Sequence, residues 1–178
     1  MIRIIKTLLL AVLLIGTQAH ADEKSAEVDC LARNIFYEAA NEPEEGKVAV
    51  GMVTLNRTES PKFPGSVCAV VTQKTVSSVP TVEVIEHKSM FKSTFEKRTT
   101  WTSVVICQFS WNCHRVIRPK SDDPRWLESQ RIAIELIQGG FEQLREKYAN
   151  ALHFHAIHVN PGWRLKKITR IGGHVFYE

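Results

Sequence analysis

Between residues 25 and 39 the apolar side chains fall at Val28, Leu31, Ala32, Ile35, Phe36 and Ala39. Counted from Val28 these are offsets of 3, 4, 7, 8 and 11, the spacing of one face of an α-helix. Ser25 supplies a cap and Glu27 an acid in the first turn. A second helix is predicted from Pro43, a residue suited to a first turn, through about Arg57. Its apolar positions, Val48, Ala49, Val50, Met52, Val53 and Leu55, surround the axis, so it should be the central buried helix. Turn signals at Ser60-Pro61 and Phe63-Pro64-Gly65 lead to a short apolar helix, SVCAVV, capped by Ser66. Residues 74–103 are rich in Ser and Thr and keep no steady period, which reads as a long surface excursion with weak structure of its own. Asp123-Pro124 opens an amphipathic helix through Trp126, Ile132, Ala133, Leu136 and Ile137, closed at Gly139-Gly140. The tail changes period: ALHFHAIHV alternates like a strand, and KITRIGGHVFY reads as strand, tight turn, strand. The pattern predicts one mainly helical α+β domain with a small C-terminal β element.

The first 21 residues change this picture only by leaving it. Arg3 and Lys6 precede an apolar run too short to span a bilayer comfortably, and Ala19-His20-Ala21 has the small-x-small pattern of a cleavage site. We expect residues 1–21 to be a signal peptide, 22–178 to be the functional domain, and the product to be exported, periplasmic or extracellular, with no stable membrane insertion. Without Arg3 and Lys6 the chain has 21 basic and 19 acidic residues, a net charge of +2. That excess is small and dispersed, so nucleic acid is not an expected partner. Cys30, Cys68, Cys107 and Cys113 form an even set with no CxxC pair, which in an exported chain predicts two disulfides. The spacing does not choose among the three pairings.

Two groups offer chemistry. Glu38 lies at ~280° on a helical wheel started at Val28, beside Leu31 at ~300° and Ile35 at ~340°. A carboxyl on the border of an apolar stripe is partly desolvated, which favours its proton-bearing form and suits a general acid. A rim glutamate bending outward to water would occupy the same place. The second group is His153, His155 and His158 in HFHAIH, with His174 further on. On a strand His153 and His155 share a face, but His158 falls on the other and no HExxH pair is present, so no metal is expected.

Taken together, CLARNIFYEAANEPEEGKVAVGMVTLNR, FPGSVCAVV, CQFSWNC, ALHFHAIHVNPGW and IGGHVFY resemble, in order and over nearly all of 30–177, the SleB/CwlJ-type cell-wall hydrolases, the family of the spore-cortex-lytic enzymes. The resemblance implies a lysozyme-like, lytic-transglycosylase-like fold, peptidoglycan glycan strands as the partner, no cofactor, and one catalytic glutamate in FYEA, here Glu38. It also places Gln108, Phe109, Ser110, His153 and His155 around the cleft. Asn56 could then hold sugar substituents, and Trp111 and Trp163, with Phe109, could offer flat faces, although each aromatic would fit a core equally well. The implied reaction cuts between N-acetylmuramate and N-acetylglucosamine with 1,6-anhydro ring closure, by a protein acting as a monomer. Two other readings stay open: a zinc-dependent peptidoglycan amidase using the histidines, and a non-catalytic wall-binding domain. Two departures stand out. The segment 74–106 exceeds the usual link to the CQFS motif, and Ala40-Asn41 replace the usual Arg-Gly.

Overall fold

The computed structural model describes residues 22–178, so the expected signal peptide lies outside the described residues. Helix α1 (residues 22–39) is already helical at residue 22, and Ser25 lies within it rather than capping it. Glu27 acts at a distance instead: its carboxylate accepts from the backbone N–H groups of Val67 (2.6 Å) and Cys68 (3.3 Å). It thereby caps α3 (Val67–Thr72), whose own cap, Ser66, accepts from the Ala69 N–H. The Cys30–Cys68 disulfide fixes the same two helices to each other. The second disulfide, Cys107–Cys113, closes a short loop, and none of the described cysteines is free.

Helix α2 (Glu44–Glu59) is the axis of the domain, buried from Gly46 nearly to its end. It packs against α3, α4 (Pro124–Ile137), α5 (Glu142–Lys147) and strand β3 (His153–Ala156). Leu31 and Ile35 of α1 join Val48, Val50 and Val53 of α2 and Ile132 and Leu136 of α4 in a single fully buried core. Gly51 makes this closeness possible, since a Cβ there would sit 2.5 Å from Leu136 Cδ1 and 3.2 Å from Ile35 Cδ1. A polar chain crosses the core as well. The buried Asn34 amide donates to Thr54 Oγ1 (3.0 Å), and the Asn34 carbonyl accepts from the Trp111 indole (3.1 Å). Buried polar groups satisfied in this way fix one arrangement of their elements. Here they set α1, α2 and the 3₁₀ turn Ser110–Cys113 in register.

The C-terminal sheet has the order β3–β5–β4, antiparallel throughout, with β4 spanning Lys167–Ile171 and β5 spanning His174–Tyr177. Phe154 pairs with Phe176 towards the core, while His153 and His155 stand on the other face with Tyr177. The β4–β5 turn is pinned to the α1–α2 loop, because the Glu42 carboxylate accepts from the Gly173 N–H at 2.9 Å. Gly172, at φ 51°, has no room for a Cβ beside that carboxylate.

Two elements depart from the pattern-based expectation. Helix α5 follows Phe141, itself in the left-handed region at φ 60°, and had no counterpart in the apolar periodicity. The segment 74–103 is regular, not weakly structured: strands β1 (Lys74–Lys88) and β2 (Ser93–Cys107) pair antiparallel over their full 15 residues each. Both faces of this ribbon meet solvent, so no core-facing stripe marked it over its length.

Candidate active site

Glu38 ends α1 and Arg57 sits in the last turn of α2. Together with Gln108, Phe109 and Ser110 on one side and His153, Phe154, His155 and His174 on the other, they line a cleft of about 400 Å³. Trp163 stands at its edge, 44% exposed, and Thr75 and Ile106 bring the base of the ribbon to it. Glu38 is the one carboxylate among the lining residues. It is half-buried, and burial pushes its carboxyl up to about 7, against the opposing pull of the Arg57 charge. Such a group holds its proton near neutral pH.

Arg57 is only 3% exposed. Its Nε donates to the Leu152 carbonyl at 2.9 Å, and its guanidinium lies over the rings of Phe63 (4.9 Å) and Phe109 (5.3 Å). Its Nη1 is buried without a partner among the described residues. Desolvation lowers its pKa to about 10, which leaves it charged at neutral pH. Apolar walls and a single fixed cation thus set the protonation of Glu38. The pattern of residues gave no role to Arg57. Its one signal was a cation on a helix otherwise buried all round, which has to face a carbonyl, a carboxylate or a cleft.

Among the cleft histidines only His155 has both ring nitrogens hydrogen-bonded, and His174 Nδ1 is buried without a partner among the described residues. His155 Nδ1 lies 2.9 Å from the Ala156 carbonyl, which can only accept, so Nδ1 carries the hydrogen. Nε2 then accepts from the Tyr177 hydroxyl at 2.9 Å. Burial, with the charges of Arg57 and Lys62, lowers the pKa of His153. Burial likewise lowers that of His174, against the opposing pull of Glu42. His158 is exposed outside the group, and among the described residues no three His, Cys, Asp or Glu side chains converge as a metal site. With both His155 nitrogens occupied, the donor set does not suit zinc.

Of the residues expected at the cleft, Gln108, Ser110, His153, His155 and Trp163 line it with Glu38, while Phe109 lies in its floor, 2% exposed and packed in the core, and so offers no open face to a sugar. Asn56 and Trp111 do not reach it. The Asn56 amide is spent on the Tyr148 and Ala151 carbonyls (2.7 and 2.9 Å). Trp111 is turned onto Asn34 and lies 4.6 Å from the Tyr37 ring. The acids that follow Glu38 are also engaged elsewhere: Glu42 with the Gly173 turn, Glu44 with Arg131, and Glu45 with Lys147 and Tyr148. A larger depression of about 550 Å³ has Glu27 in its lining, but that acid is committed to capping α3.

Comparison with known proteins agrees with this geometry. A 45-residue stretch is 47% identical to the spore cortex-lytic enzyme of Bacillus subtilis (strain 168), covering 25% of this chain but only 15% of that protein. The catalytic domain of the germination-specific lytic transglycosylase SleB from Bacillus anthracis superposes with a TM-score of 0.50 at 18% identity, over 85% of this chain and 93% of that one. The catalytic domain of the Bacillus cereus SleB protein gives the same score and identity, with 89% of that chain covered. The fold is therefore that of the SleB catalytic domains. The family model described as Cell Wall Hydrolase matches residues 41–177, beginning three residues after Glu38. With more than three quarters of its length in that match, the chain belongs to the Cell Wall Hydrolase family.

Proposed function

We propose that the protein is a peptidoglycan lytic transglycosylase that cleaves between N-acetylmuramate and N-acetylglucosamine, with Glu38 as its catalytic residue. The observation that carries this reading is a half-buried carboxyl standing alone in the cleft, where burial raises its pKa. Ordinary glycosidases divide their work between two carboxylates. A single carboxyl has to serve twice. Glu38 gives its proton to the bridging oxygen as the bond from that oxygen to the muramate C1 breaks, and the N-acetyl group supports the positive charge left on C1. The muramate C6 hydroxyl oxygen then bonds to C1 and surrenders its proton to the Glu38 carboxylate. No water is consumed, and Glu38 ends as it began.

The remaining cleft residues fit a sugar. Gln108 and Ser110 can hydrogen-bond the N-acetyl and hydroxyl groups, and His153 and His155 present ring edges held in place by their neighbours. Trp163 offers a flat face beside them, with its ring centre 5.6 Å from that of His153 and 5.7 Å from that of His155. A peptidoglycan substrate would place the protein outside the cytoplasm, where two disulfides persist. The test is Glu38→Gln, which keeps shape but cannot exchange the proton. Turnover of purified peptidoglycan should fall by at least ~10²–10⁴-fold, while sedimentation with intact wall survives. Turnover close to wild type would remove Glu38 from the mechanism.

A further inference from the structure

We propose that the β1–β2 ribbon is a membrane-docking arm whose apex enters the surface of an anionic phospholipid bilayer. Fifteen paired residues per strand reach roughly 45–50 Å at ~3.3 Å per residue. Residues 86–100, the far end, are all exposed among the described residues, and the ribbon joins the body at its base, where β2 meets the 3₁₀ turn. The hairpin is closed at Ser89–Lys92, where the Ser89 N–H donates to the Lys92 carbonyl at 2.9 Å. The two residues this closure thrusts forward are Met90 and Phe91, 91% and 94% exposed. Two large apolar side chains at the tip of an otherwise polar turn serve no core. Lys88 and Lys92 flank them on either strand, both exposed.

The charge on this end points to the chemistry of the surface it meets. Glu86 lies 3.6 Å from Lys88, Glu96 lies 3.2 Å from His87, and Glu83 stands opposite Arg98 in register, so that over 83–98 four cations, Lys88, Lys92, Lys97 and Arg98, face three acids. Lys92 adjoins Phe91 at the turn and is exposed, while Lys97 stands further back, opposite Val84. Behind the apex, four residues from Phe91, Phe95 is 69% exposed and shares a face with Val84. An apolar tip flanked by Lys88 and Lys92 matches a bilayer interface: Met90 and Phe91 enter the acyl boundary and the ammonium groups meet phosphates. A second copy meeting apex to apex would set these lysines against each other, and two residues are too few for a stable protein interface. Peripheral docking of this kind is reversible and distinct from membrane insertion.

The proposal does not depend on the chemistry of the cleft, and its test need not measure catalysis. Residues 22–178 are mixed with vesicles of phosphatidylglycerol or of phosphatidylcholine, and partitioning is read by sedimentation. Binding to the anionic vesicles should exceed binding to the zwitterionic ones by at least tenfold and weaken with salt. Met90→Ser with Phe91→Ser should weaken it by about tenfold or more, and Lys88→Gln with Lys92→Gln by roughly tenfold. Both pairs should keep the wild-type melting temperature, since the apex supports no core. The proposal is overturned if wild-type protein ignores anionic vesicles, or if the serine pair binds them as tightly. Concentration-dependent dimerisation abolished by the serine pair would reassign the apex to a second copy.

Discussion

Glu38 carries a proton that water would not let it keep at neutral pH, and that has consequences for stability as well as rate. Its folded pKa of about 7 lies above the ordinary carboxylate value, so the folded state binds the proton more tightly than the unfolded chain does. The stability lost to burying this group is therefore absent below about pH 4.5, grows as pH rises to about 7, and is constant above. Glu38→Gln removes the titration. Thermal melts should show wild type and variant alike at pH 4, with the variant more stable at pH 8 by at most ~3 kcal/mol. In catalysis the sign is the same. The kcat/KM of wild type should fall as pH rises past about 7, because the deprotonated group cannot start the reaction. Arg57 supplies the opposing pull, so Arg57→Gln should shift that alkaline limb to higher pH, whatever it does to the maximum. A limb that stays in place would show that Arg57 does not act on Glu38.

Among the elements, legibility followed the range of the interactions. Helices α1 to α4 announce themselves because each repeats its apolar residues within one or two turns, and Ser66 and Asp123 cap where their sequence context suggests. The β4–β5 turn is equally local, with Gly172 at the position that requires positive φ. Helix α5 was hidden because Glu142–Lys147 contains a single apolar residue, Leu144, and is held by packing on α2. The ribbon was hidden because each of its residues is stabilised by a partner up to 33 positions away, as in Lys74 opposite Cys107, and neither face meets a core. Its independence can be measured. Replacing residues 78–103 by a two-residue turn keeps Thr75 and Ile106 at the cleft and removes no buried side chain. The melting temperature should change by no more than a few degrees, and a collapse of folding would show that the ribbon braces the body.

At the scale of the molecule, the cleft exists because distant parts of the chain converge on the end of α1. The place of Glu38 beside an apolar stripe was legible in the spacing, but a rim glutamate would sit there too, and it was the resemblance to the cell-wall hydrolases that singled it out. Its partners were legible only in part: Gln108, Ser110, His153 and His155 stood out, whereas Arg57 did not, and Asn56 and Trp111 proved to be spent on carbonyls and core contacts. The disulfides secure this convergence unequally. The Cys30–Cys68 bridge spans 38 positions and Cys107–Cys113 only 6, so chain-entropy arguments assign about 4 and about 2 kcal/mol respectively. Denaturant melts of the double alanine variants should preserve that order, and the reverse order would mean that the short bridge holds the cleft wall rather than a loop. The claim on which the account turns is that Glu38 acts alone, as acid and then as base. The most direct test is the mass of the muropeptides that wild-type protein releases from purified peptidoglycan. The account predicts fragments lighter by one water than hydrolysis products and resistant to borohydride, as a 1,6-anhydro ring requires. Fragments at the hydrated mass, reducible by borohydride, would contradict it, since a water would then have been activated by a base that this cleft does not hold.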